Sequence, residues 1–215
     1  MGYSDFKSLT QVCEEFPHLN VEKKEFIKEE NFVIKESEKC VYEFIMKKFE
    51  NPFSFVNEVT ICEKIISPIL DLVAEENNLP VWSQASLIVE KERNLSGAPD
   101  FLLAPANKGM DGYSKPVVCL VEAKDDKFKD AWGQLGAEML ASQMLNNNKE
   151  IPVWGITSNG SSWQFGKLIG DLFTINTISY GTPIGIEKVL NILNWIFKDA
   201  RKNADTLLAL DKEGK

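Results

Sequence analysis

Apolar residues recur at helical spacing in the first part of the chain. Val41, Phe44 and Ile45 follow one another at intervals of three and one, and the positions between and around them are rich in charge. Apolar positions three and four residues apart share one face of a helix. The pattern therefore predicts that residues 1–50 form a helical N-terminal extension.

The same period continues over residues 57–76 and then changes to two. The first stretch predicts a helix that is kinked at Pro68, because proline lacks the amide hydrogen that an internal helical position donates. Beyond it, β-branched and aromatic residues alternate or run together between turn residues, which is typical of strands. The predicted strands are 81–90, 99–104, 116–124, 151–158 and 162–168, and Asn159-Gly160 predicts a hairpin turn between the last two.

Two more helices complete the pattern, one over residues 127–147 and one over 184–201. The order of helices and strands indicates an α/β fold, with a mixed central sheet flanked by helices. We place this domain at residues 51–205 and expect residues 206–215 to be a frayed tail.

Charged residues stand at the ends of two predicted strands. Asp100 opens the apolar strand that follows Gly-Ala-Pro, while Glu122 and Lys124 close the strand VVCLVEAK. Side chains alternate along a strand, so Glu122 and Lys124 share one face and Ala123 lies on the other. Asp111 is midway between Asp100 and Glu122, and an antiparallel pairing centred there places these two acids opposite each other.

Two carboxylates on one face repel each other, and a divalent cation would relieve that repulsion. Mg²⁺ takes oxygen ligands from one or two carboxylates, from water and from substrate phosphate. A lysine beside such a cation can stabilise the negative charge of a phosphoryl-transfer transition state. Asp100, Glu122 and Lys124 are therefore the candidate residues for metal-dependent phosphodiester hydrolysis, with Asp100 and Glu122 as metal ligands.

Two further residues are candidates on the neighbouring helices. Gln134 lies in the helix after Lys124, where its amide could orient a water or a nucleotide. Glu58 lies at the start of the helix before the sheet, and Glu63 is the second choice for the same role. Each has an alternative interpretation, because a glutamate near a helix start often only stabilises the helix dipole and a helical glutamine is usually solvated.

With these residues the chain resembles the PD-(D/E)xK nuclease superfamily, which has the restriction-endonuclease-like fold. The matching residues are Pro99-Asp100, then Glu122-Ala123-Lys124, then Gln134, with Glu58 as the upstream metal ligand. The chain is also similar to the nuclease-like N-terminal part of type I restriction subunits. The resemblance implies Mg²⁺ or Mn²⁺ as cofactor, nucleic acid as substrate with DNA preferred to RNA, and a homodimer or larger restriction-type assembly.

The charge of the chain limits this hypothesis. The formal net charge is −8, whereas proteins that wrap long stretches of nucleic acid are usually basic. Contact with nucleic acid must then be local or supported by bound metal. The alternative is a non-catalytic binding or assembly subunit on the same fold, with a vestigial site.

Other classes of protein are less compatible with the sequence. The chain has one histidine, which excludes nucleases built on paired histidines, and its four cysteines lack zinc-site spacing. We expect a reducing, cytoplasmic location, no signal peptide and no membrane span. The aromatic residues Trp154, Trp163 and Phe165 around the predicted hairpin could stack on bases or pack in the core.

Overall fold

The computed structural model describes residues 2–124 and 127–213, and their helices and strands form one α/β arrangement. The α-helices are α1 (Leu9–Glu15), α2 (Lys39–Phe49), α3 (Glu58–Ile61), α4 (Ser67–Glu76), α5 (Phe128–Asn146) and α6 (Ile186–Glu213). The strands are β1 (Asn20–Lys23), β2 (Val81–Ser83), β3 (Leu87–Glu90), β4 (Leu95–Gly97), β5 (Phe101–Leu103), β6 (Cys119–Ala123), β7 (Val153–Ser158), β8 (Ser162–Ile169), β9 (Leu172–Ile175) and β10 (Tyr180–Gly181).

Eight of these strands form one mixed sheet, in the order β1-β9-β8-β7-β6-β5-β2, with β10 paired to β8. The pairs β6–β7 and β1–β9 are parallel, and the other pairs of this sheet are antiparallel. Strands β3 and β4 form a separate two-stranded sheet. The predicted α/β class with a mixed central sheet flanked by helices is confirmed.

Helices cover both faces of the sheet. One apolar cluster joins the sheet to α4 and α6, and a second joins the opposite face to α1 and α5. Strand β6 is buried along its whole length because its side chains point into both clusters. Such double burial accounts for its nearly continuous apolar sequence, and it makes the charged residues at its end the exception.

The predicted register between β5 and β6 is confirmed. Phe101 pairs with Val121 and Leu103 pairs with Cys119, which places Asp100 beside Glu122 one step further along. The turn between these strands differs from the symmetric one expected, because a bridge joins Ala106 to Tyr113. The segment from β5 to Ala106 is shorter than the segment from Tyr113 to β6, so the loop is irregular rather than symmetric.

The prediction that residues 1–50 are helical throughout is wrong. Strand β1 pairs in parallel with β9 at the edge of the main sheet, and residues 24–35 continue without helix or strand. Side-chain amides of distant residues hold this segment: Asn176 Oδ1 accepts the Phe26 N–H at 3.1 Å, and Asn191 Oδ1 accepts the Phe32 N–H at 2.8 Å. These partners are about 150 residues away, so local periodicity does not reveal them.

Two more boundaries differ from the prediction. The stretch 81–90 is not one strand, because Gln84 adopts a left-handed backbone (φ +50°) and β2 and β3 then belong to different sheets. Residues 206–213 are not frayed, because α6 continues to Glu213 and its Leu207 is buried. Gly214 and Lys215 lie outside the described residues.

The irregularity predicted at Pro68 is present one turn earlier. Residues Cys62–Ile66 form a π-helical segment between α3 and α4. A proline excludes the ordinary hydrogen bond to the residue four positions before it, here Lys64. A widened turn accommodates that loss and explains why the helix remains continuous through Pro68.

Gly133 in α5 allows the N-terminal segment to approach the helix closely. A Cβ at Gly133 would lie 2.3 Å from Ser8 N and 2.5 Å from Phe6 O, which are backbone atoms. At Gly136, the atom nearest to an added Cβ would be the end of the Leu9 side chain. Replacing glycine by alanine inside a helix normally stabilises by about 1 kcal/mol. We expect Gly133→Ala to destabilise the protein by about 1–3 kcal/mol instead, through overpacking.

Urea unfolding of Gly133→Ala beside Gly136→Ala measures this effect. The second variant should lose less stability, because the Leu9 side chain can rotate away. A Gly133→Ala protein more stable than the wild type would contradict the close approach of the N-terminal segment to α5.

Candidate active site

The candidate site lies where β2, β5 and β6 end side by side. Asp100 immediately precedes β5, Glu122 lies within β6 and Lys124 follows it. The Ala123 N–H donates to Asp100 Oδ2 at 2.8 Å, and the Asp100 N–H approaches Glu122 Oε2 at 3.5 Å. Pairing of β5 with β6 therefore fixes the two acids next to each other.

Lys124 connects the strand acids to the helix before the sheet. Its Nζ lies 3.7 Å from Glu122 Oε1 and 3.0 Å from Glu58 Oε1. Ala123 packs in the apolar cluster on the other face of β6, as strand alternation predicted. The structure thus brings together four of the predicted residues, Asp100, Glu122, Lys124 and Glu58, from three separate parts of the chain.

Glu58 rather than Glu63 contacts this group. Asn57 caps the helix at its start, where its Oδ1 accepts the Thr60 N–H at 2.9 Å, and this cap fixes the first helical residue, Glu58, beside Lys124. Glu63 lies one turn further along, on the wall of the adjoining groove. The geometry favours Glu58 as the upstream acid.

Burial and mutual repulsion disfavour the charged forms of the strand acids. Burial, followed by the nearby charges of Glu138 and Asp100, raises the pKa of Glu122 well above its ordinary range. Burial also raises the pKa of Asp100, although the hydrogen bond from the Ala123 N–H opposes this effect. These carboxylates would be stabilised by a cation.

Lys124 stays charged in this environment. Burial lowers the pKa of its ammonium group, but the hydrogen bond to Glu58 and the charges of Glu122 and Asp100 raise it above the ordinary value. Lys124 is therefore a fixed positive charge near neutral pH rather than a proton acceptor.

Glu138 is a buried acid that the sequence did not single out. It lies in α5 with no exposed surface, and its Oε1 accepts the Gln134 amide at 3.2 Å. Its other oxygen, Oε2, is buried without a hydrogen-bond partner in the described part of the chain. Burial and the charge of Asp100 raise the pKa of Glu138 to about 8, although the Gln134 bond opposes the shift.

Gln134, the predicted helical site residue, thus reaches the site indirectly, through Glu138, which lies near Glu122. The available signal in the sequence was spacing alone, since Glu138 follows Gln134 by four residues and shares its helix face. The sequence does not show that this face turns toward Glu122 rather than toward solvent.

Gln84 is the second residue that the sequence did not single out. Its Nε2 donates to Asp100 Oδ1 at 2.7 Å, and its backbone N–H donates to the Asp100 carbonyl at 3.0 Å. It was predicted to lie inside a strand, where its side chain would have had no particular role.

An open groove of about 450 Å³ is lined by two of the four predicted residues, Glu58 and Asp100. Its acidic walls come from Glu58, Glu63 and Asp100, and the remaining wall is polar or apolar. The lining residues are Glu58, Val59, Cys62, Glu63, Ser67, Ser83, Gln84, Asp100 and Phe101. The groove is large enough for a small part of a polymer, and its walls would repel phosphate unless a cation were present.

The aromatic residues around the hairpin belong to the core. Trp154, Trp163 and Phe165 are all buried, so the interpretation that they stack on bases is wrong. The hairpin turn itself is confirmed, since Gly160 has a positive φ of +79° between the paired strands β7 and β8.

Within residues 2–124 and 127–213, no three acidic, cysteine or histidine side chains are already spaced as a closed metal site. Mg²⁺ needs less than such a cage, because it commonly binds one or two carboxylates and keeps several waters. The donor set of Asp100 and Glu122 fits that requirement in chemistry, and the burial and nearby acids that raise the pKa of both carboxyl groups favour a bound cation.

Comparisons with known proteins add no family assignment. No family model matches the chain, and no curated protein matches it. Among the helices that the structure describes, none is both long and apolar enough to cross a membrane. The resemblance to PD-(D/E)xK nucleases therefore depends on the residues and their arrangement.

Proposed function

We propose that this chain is a metal-dependent phosphodiesterase of the restriction-endonuclease-like fold that hydrolyses nucleic acid, with DNA as the preferred substrate. The observation that carries the proposal is the meeting of Asp100, Glu122 and Lys124 at the adjoining ends of β5 and β6. Two acids can hold a divalent cation that activates water, and a charged lysine beside them can stabilise the negative charge that develops on the phosphate.

Asp100 and Glu122 would hold Mg²⁺ or Mn²⁺, and Glu58, which lines the same groove as Asp100, would support them as a third acid. Such a cation, when bound, polarises a phosphoryl oxygen and makes a water more acidic. Binding would also offset the burial and the repulsion that together raise the pKa of Glu122. The cation would therefore stabilise the very arrangement that binds it.

Lys124 would stabilise negative charge on the attacked phosphate. Its ammonium group is held by Glu58 and Glu122, so it is already oriented before substrate arrives and little reorganisation is needed. Gln134, whose amide nitrogen is occupied by Glu138, keeps an oxygen that could orient a water or a nucleotide.

The substrate would contact only a small part of this surface. The net charge of −8 and the acidic groove walls oppose a long electrostatic track along a duplex. We propose that contact is local to the metal and that a homodimer or a larger restriction-type assembly supplies further binding. The four free cysteines are compatible with the proposed cytoplasmic location.

The second candidate is a non-catalytic binding or assembly subunit. The observation that favours it is again the acidity of the groove, since Lys124 already balances part of the carboxylate charge without metal. The two candidates differ in whether the acids bind a divalent cation.

A thermal-shift titration with Mg²⁺ and Mn²⁺ separates them. A ligand that binds only the folded state raises apparent stability by about 2.7 kcal/mol at 100 times its dissociation constant. We expect a concentration-dependent rise in Tm for the wild type that Asp100→Asn largely abolishes. Asp111→Asn, an exposed control in the β5–β6 loop, should respond like the wild type. No shift in the wild type with millimolar metal would favour the non-catalytic candidate.

A further inference from the structure

We propose that Gln84 is a positioning residue that holds the Asp100 carboxylate in the orientation needed to bind a divalent cation. The inference rests on the proposed function and deepens it, because it adds a residue that sets the metal affinity of the site from outside the set of metal ligands.

The backbone of Gln84 adopts a left-handed conformation at the end of β2. Strand β2 ends at Ser83, which pairs with Phe101, and Gln84 then turns away with φ +50°. A residue with a side chain is strained in this region, whereas glycine adopts it freely. Glycine would make the same turn at lower cost, so the side chain of Gln84 must offset the strain by what it contacts.

The side chain of Gln84 donates a hydrogen bond to the Asp100 carboxylate. Gln84 Nε2 donates to Asp100 Oδ1 at 2.7 Å, while the Ala123 N–H donates to Asp100 Oδ2 at 2.8 Å. Each carboxylate oxygen thus has one donor, and the two donors come from opposite sides of β5. Together they fix the plane of the carboxylate. Without Gln84, one donor would remain and the carboxylate could rotate.

Gln84 also lies on the wall of the groove beside the site. It lines the groove together with Glu58 and Asp100, so it is next to the space from which a cation would enter. Hydrogen bonds to metal-binding carboxylates typically change metal affinity or activity 10- to 100-fold when they are removed.

Gln84→Gly tests the inference because stability and function should change in different directions. Glycine relieves the backbone strain, so we expect Tm in chelator to stay the same or rise. The apparent dissociation constant for Mn²⁺, from thermal-shift titration, should rise about 10- to 100-fold. The Mn²⁺ concentration for half-maximal cleavage should rise equally, with the rate at saturating Mn²⁺ largely restored. Gln84→Glu, which replaces the donor by a repelling carboxylate of the same size, should lower Tm in chelator.

Asn94 provides the matched control, since it has the same left-handed backbone (φ +61°) outside the site. Asn94→Gly should leave Mn²⁺ affinity unchanged. If Gln84→Gly also binds Mn²⁺ and cleaves with wild-type half-saturation, Gln84 only forms a turn and the inference is wrong while the proposed function stands. If the wild type neither binds Mn²⁺ nor cleaves, the proposed function fails and this inference fails with it.

Discussion

Replacing Lys124 by alanine is expected to lower metal-dependent cleavage by about 100- to 1000-fold, the usual loss when one preorganised group facing developing negative charge is removed. The ammonium group of Lys124 lies between Glu58 and Glu122 and stays charged in their company. Within residues 2–124 and 127–213, no other lysine or arginine forms an ion pair with Glu58 or Glu122. Rates from oligonucleotide cleavage at saturating Mg²⁺ measure the loss.

The fold should survive this change because the Lys124 side chain is outside the apolar clusters on both faces of the sheet. Circular dichroism of the variant checks that expectation. Lys127→Ala removes the same charge three residues further on, from an exposed position, and should retain most of the activity. Full activity in the Lys124→Ala protein would show that the assigned role of Lys124 is wrong.

Glu138→Gln is expected to stabilise the metal-free protein by about 3–5 kcal/mol at pH values above the Glu138 pKa of about 8. Glu138 is fully buried, one of its oxygens has no partner in the described chain, and it lies near Glu122 and Asp100. Glutamine keeps the size and can still bond to Gln134. It removes a charge that the site accommodates only with difficulty.

The same residue determines the pH dependence. Its pKa rises from an ordinary 4.5 to about 8 in the folded protein, so between these values the folded state holds a proton that the unfolded chain has lost. Stability in chelator should therefore fall as pH increases from about 4.5 to about 8. Glu122, whose pKa is also raised, acts in the same direction, while the positive charge of Lys124 limits the pKa shift of both acids.

Urea unfolding in chelator across that pH range measures the slope for the wild type, for Glu138→Gln and for Glu63→Gln, an exposed acid on the groove wall. The Glu138 variant should show a clearly smaller slope, and the Glu63 variant should follow the wild type. Equal slopes in all three proteins would mean that Glu138 does not titrate in this range.

The centre of the site was predictable because it depends on local rules. Strand alternation places Glu122 and Lys124 on one face, and the apolar runs on either side of Asp111 set the pairing that brings Asp100 to Glu122. A single hairpin thus contains the decisive geometry, and its register follows from which residues must be buried.

The surrounding residues were not predictable because they depend on contacts between distant segments. Glu138 is buried only because its face of α5 packs against β6, and Gln84 contacts Asp100 only because its backbone leaves the strand pattern. Strand β1 was missed for the same reason, since its partner β9 lies about 150 residues further along. Local periodicity contains no information on such partners.

Cleavage of plasmid and oligonucleotide DNA by the wild-type chain, with Mg²⁺ or Mn²⁺ and with chelator, tests the central claim most directly. Single-stranded DNA and RNA substrates run beside the duplex identify the preferred substrate. We predict cutting that requires the metal, stops in chelator and is lost in Asp100→Asn and Glu122→Gln. Absence of metal-dependent cutting on every one of these substrates, in a protein whose Tm also fails to respond to either metal, would contradict this prediction.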